Sequence, residues 1–127
     1  MNKTILSLSG IFSGVLGVAI SFLPQEIFSF YNEAPSTIGV LAIKLLGIAL
    51  IALASVNWLS KDRLIGGIYN RPVALANAMH YSVGSVILLK TMALNSSTPL
   101  IVLSIIYGVF GVAFFKIMFT TPKQVAS

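Results

Sequence analysis

Charge is what this sequence has least of. Only 9% of its 127 residues are Asp, Glu, Lys or Arg, against about a quarter in soluble domains. Three acidic and eight basic residues are too few to coat a chain of this size in water. A water-soluble enzyme, a disordered tail and a nucleic-acid-binding module therefore all fit poorly. The absence of cysteine excludes disulfides, thiolate nucleophiles and cysteine-ligated metals, and leaves the redox compartment open. With one histidine there is no second imidazole for a metal site, and no metal or cofactor is expected. Glycine-rich phosphate loops, Ser/His/Asp arrangements and paired intramembrane carboxylates are missing too, so no residue is assigned as catalytic. What the chain does have is 57% hydrophobic residues and a mean hydropathy of +0.96, the composition of an integral membrane protein.

Four apolar segments carry that hydropathy, at residues 5–23, 38–59, 72–94 and 99–119. At about 1.5 Å of rise per residue each matches a hydrocarbon core of about 30 Å. Backbone groups in lipid must be satisfied within their own segment, so these spans are helices, and the alternation of a membrane barrel is absent. The expected fold is a single all-α transmembrane domain over residues 1–127, a four-helix bundle. Thr37 and Thr98 are expected to cap the second and fourth helices, and Pro72 and Pro99 suit a first helical turn. Lys3 ahead of an apolar run, with Ala19-Ile20-Ser21 at its end, resembles a cleavable leader; a retained first helix is the expectation.

The basic residues other than Lys44 and Lys90 fall at the N-terminus, in the middle loop and at the C-terminal end. The positive-inside bias then predicts a multi-pass membrane protein with both termini cytoplasmic. The same charges could instead form a patch for anionic lipid. Between spans one and two, Ile27, Phe28, Phe30 and Tyr31 alternate with polar residues at the spacing of a short interfacial helix. Such a helix could also roof a cavity.

Polar groups inside spans are costly and become the candidate ligand-binding residues. Lys44 lies about 9 Å inside span two by helical rise. It can snorkel, pair with Glu26 or Glu33, or bind an anionic headgroup or substrate. Lys44, Gly47, Ile51, Ser55 and Trp58 are expected on one face. In span three, Asn77, His80, Tyr81, Gly84 and Thr91 share a face, with His80 near mid-membrane, and such a stripe is expected to face other helices or a cavity. Asn57 sits at a depth similar to Asn77 and is a possible partner for it. Either the stripe is an interhelical clasp, or His80 serves a ligand or a proton.

Small residues mark close packing. Ser7, Gly10, Gly14, Gly17 and Ser21 line one face of span one; Ser104, Gly108 and Gly111 line one of span four. These glycine faces can pack within a subunit or build a homo-oligomer. The near-identical stretches GVLGVA and GVFGVA read as shared packing chemistry.

The stretches KLLGIALIALASVNWL, IGGIYNRP and ALANAMHYSVG resemble small four-helix bacterial inner-membrane proteins of uncharacterised function, the DoxX-like and DUF4345-like groups. The resemblance implies the architecture and assigns no residue to an activity, although some members of the wider group are linked to respiratory quinone chemistry. Three functions follow from the residues. The first is a non-enzymatic bundle that binds a lipid- or quinone-type molecule, or an accessory subunit of a membrane complex. The second is a homo-oligomeric channel or transporter with Lys44 and His80 on the pathway. The third is an intramembrane enzyme using His80 and Tyr81. Membrane lipids, an apolar or amphipathic small molecule and a second copy of the chain are the expected partners; nucleic acid is not.

Overall fold

A computed structural model describes residues 1–123. They form five helices: α1 (Asn2–Phe22), α2 (Pro24–Phe30), α3 (Thr37–Ser60), α4 (Arg71–Leu94) and α5 (Thr98–Phe119). The chain is all-α, and α1, α3, α4 and α5 are long and apolar enough to cross a membrane. It is a small multi-pass membrane protein. The helices group into two compact units, residues Leu6–Lys61 and the segment Met1–Ile5 with Asp62 onward.

In the first unit α1 and α3 pack antiparallel through their small residues. A Cβ on Gly17 would stand 2.7 Å from the Gly47 carbonyl oxygen, and one on Gly47 2.8 Å from the Gly17 oxygen. Only hydrogen fits on either side, so the two backbones touch directly. Further along, Gly10 faces the Ala54 carbonyl less closely, at 3.3 Å from an added Cβ. The buried stripe of α3 is Gly47, Leu50, Ala54 and Asn57. Of the face that Lys44, Gly47, Ile51, Ser55 and Trp58 share, Gly47 is buried, and Lys44, Ser55 and Trp58 are exposed. Ser55 can face outward because its hydroxyl donates to the Ile51 carbonyl at 2.9 Å, which satisfies it locally.

Pro24 starts α2, where its missing N–H costs no hydrogen bond. The helix is shorter than the expected interfacial segment, and Phe28 packs where a Cβ on Gly39 would be. Ser36 rather than Thr37 caps α3, its Oγ accepting from the Gly39 N–H at 3.0 Å. Ser97 takes the cap position of α5 ahead of Thr98, without a side-chain capping hydrogen bond. Both helices thus begin one residue after the serine at the cap position.

In the second unit α4 and α5 are antiparallel. Gly84 leaves room for the Tyr107 ring, which would lie 2.7 Å from any Cβ there, and Gly111 faces Ser82. The glycine faces of spans one and four thus pack within the chain, against α3 and α4.

The connection into α4 is a built turn. Gly66 and Tyr69 exchange two backbone hydrogen bonds, at 2.9 and 3.0 Å, and the Gly67 N–H donates to the Met118 carbonyl at the end of α5. Gly66 (φ +128°) and Gly67 (φ +58°) occupy backbone regions that side chains rarely enter. Asn2 donates to the Ile65 carbonyl at 2.8 Å, and Lys3 pairs with Asp62 at 2.6 Å. The start of α1, this turn and the end of α5 therefore meet at one end, together with Lys3, Arg63, Arg71 and Lys116.

Candidate functional site

The α4–α5 unit carries His80 and Tyr81. His80 Nε2 lies 3.1 Å from the Tyr107 hydroxyl of α5, in a hydrogen bond whose direction the histidine tautomer sets. Tyr81 is fully buried. Its ring meets His80 edge-on at 4.9 Å, crosses Tyr107 at 5.1 Å and stacks on Phe114 at 5.7 Å. Phe110 closes the cluster at 5.0 Å from Tyr81. These offset and edge-to-face contacts are the arrangements that ring quadrupoles favour. The imidazole is thus part of an interhelical clasp.

The asparagines are likewise engaged. Asn57, fully buried, donates from Nδ2 to the Ser9 hydroxyl of α1 at 3.0 Å. Asn77, also fully buried, donates from Nδ2 to the Val73 carbonyl one turn earlier, at 2.9 Å. Thr91 departs from the expected stripe and faces outward. Its hydroxyl donates to the Ile87 carbonyl at 3.0 Å and needs no other partner. Trp58 is half exposed, with the Lys61 ammonium 3.2 Å above its ring in a cation–π contact at the end of α3.

Lys44 is in a different setting. It is exposed, seven residues into α3, and lines an open cavity of about 410 Å³ with Ser21, Phe22, Pro24, Gln25, Glu26 and Ile48. The cavity forms where α1 ends and Pro24 turns the chain into α2, one turn beyond the Gly17–Gly47 contact. The Ser21 hydroxyl donates back to the Gly17 carbonyl at 2.7 Å and occupies the space that Gly47 leaves. Among the described residues neither Glu26 nor Glu33 comes within ion-pairing distance of Lys44. The notch therefore holds a cation, a carboxylate, an amide and a hydroxyl beside Phe22 and Ile48, both exposed.

Of the residues singled out from sequence, the structure joins His80 to Tyr81 within one unit and Lys44 to the α2 segment within the other. Tyr107, the partner of His80, and Ser9, the partner of Asn57, are additions. Tyr107 had a readable signal, lying between Ser104 and Gly111 on the small-residue face of span four. Among the described residues no group of three His, Cys, Asp or Glu side chains could hold a metal ion. Comparison with family models, with curated proteins and with solved structures finds no match to this chain.

Proposed function

We propose that this chain is a non-enzymatic membrane protein that binds an amphipathic molecule of lipid or quinone type, alone or as the ligand-carrying subunit of a larger membrane complex. The observation that carries the reading is the Lys44 notch. It combines an apolar wall with separated charged groups, and a membrane amphipath presents the same combination at headgroup depth. The polar residues of the α4 stripe support it by contrast. His80 and Tyr81 are committed to ring and hydrogen-bond contacts inside their own unit. The positive-inside bias favours the cytoplasm for the segments that carry Lys3, Arg63, Arg71 and Lys116, and the opposite side for the loop between spans one and two, which has no Lys or Arg.

Native mass spectrometry from mild detergent tests this. The wild type is expected as a monomer or dimer retaining a small amphipath. Lys44→Ala is expected to lose it, and His80→Ala to keep it. A wild type stripped of any small molecule, or a ligand-free ring of several subunits, would refute the binding reading.

A further inference from the structure

We infer that the Lys44 notch selects a phospholipid whose headgroup carries both a phosphate and a primary ammonium, an ethanolamine-type lipid. The inference rests on the binding reading above and names its ligand class. Lys44 and Glu26 line one cavity without pairing with each other. Two opposite charges that share a notch yet stay apart complement a ligand with the same two charges in reverse. The Lys44 ammonium takes the phosphate as a charge-assisted contact, and the Glu26 carboxylate takes the ligand ammonium.

The remaining lining residues favour a primary ammonium over a quaternary one. A primary ammonium needs hydrogen-bond acceptors, and the residues lining the notch include the Glu26 carboxylate and the Gln25 side-chain carbonyl. Recognition of a quaternary ammonium relies on several aromatic faces around the cation, and Phe22 is the one aromatic residue lining this cavity. A headgroup with a phosphate and no cation would leave Glu26 facing an anion, which disfavours it. Phe22 and Ile48, both largely exposed, form the apolar wall along which the glycerol and upper acyl chain lie. The depth of Lys44 agrees: its α-carbon is roughly 10 Å of helical rise from the start of α3, and its stem carries the ammonium back toward phosphate level.

The test is competitive retention in native mass spectrometry. Purified protein is offered an equimolar mixture of ethanolamine, glycerol and choline phospholipids with identical acyl chains. The wild type is expected to retain the ethanolamine lipid about tenfold over either competitor, the scale of one charge-assisted contact. Glu26→Gln is expected to abolish that preference while total phospholipid bound stays near wild type. Lys44→Ala is expected to lower retention of all three, since all carry the phosphate. Both side chains are exposed, so neither change removes core packing, and circular dichroism melting checks that the variants fold. Equal retention of the three lipids, a preference surviving Glu26→Gln, or unchanged retention in Lys44→Ala would overturn the inference. Soluble phosphoethanolamine is expected to leave the lipid in place; displacement by it would overturn the membrane source. The two readings fail separately. A wild type that holds no lipid refutes the binding function, whereas lipid held without headgroup preference refutes the ethanolamine selection alone.

Discussion

Gly17→Ala is the most direct probe of how this chain builds its notch. The added methyl would stand 2.7 Å from the Gly47 carbonyl oxygen, 2.9 Å from Cγ1 of Ile51 and 3.0 Å from the Ile51 nitrogen. Two of those three atoms are backbone, so no side-chain rotation relieves the overlap and α3 must move away from α1. Overpacking of this kind costs about 1–3 kcal/mol. Gly14→Ala on the same helix is the matched control, because its methyl would meet only the Ala54 Cβ at 3.5 Å, an ordinary contact. Removing a mid-helix glycine there is expected to be neutral or to stabilise by up to about 1 kcal/mol. The two variants should therefore differ by about 1–4 kcal/mol in reversible SDS unfolding, once the gain at Gly14 is set against the strain at Gly17. Trp58, the single tryptophan, sits at the end of α3 and reports the transition by fluorescence. Because the Gly17–Gly47 contact lies one turn below Lys44, Gly17→Ala should also widen the notch and weaken lipid retention. Equal stabilities for the two variants would refute the close-approach argument.

Two further outcomes follow from the α4–α5 unit and its turn. His80→Ala and Tyr107→Phe are each expected to destabilise, and a double-mutant cycle between them should give a coupling of about 0.6–1.7 kcal/mol in SDS unfolding, the range for interhelical hydrogen bonds in membranes. A coupling near zero would remove the clasp. Gly66→Ala would force a side chain to φ +128°, against the Thr120 backbone, and is expected to destabilise by about 2 kcal/mol or more in the same assay. A wild-type transition in that variant would refute the strained-turn account.

What the sequence alone determined is the class of the molecule. With so few charges and four runs near 20 residues, lipid is the only solvent that suits the chain, and in lipid the unsatisfied backbone forces helices. Length and hydropathy carry that information, and four helices long and apolar enough to cross a membrane are what the chain forms. The packing value of Gly10, Gly17 and Gly111 was legible too, because a missing Cβ has one structural use on an apolar helix. Which face met which was not. Gly47 belongs equally to the Gly47–Ile51–Ser55 and Gly47–Leu50–Ala54 stripes, and only contact with α1 selects the second. Thr91 read as a group needing a neighbour, but a hydroxyl can return its proton to its own helix, a choice that residue type does not reveal. The Lys44 notch depended most on tertiary structure. Lys44, Glu26 and Phe22 come together because the small residues of α1 and α3 hold those two helices in contact and Pro24 turns the chain into α2 just beyond it. That convergence is a property of backbone geometry, written in no single segment.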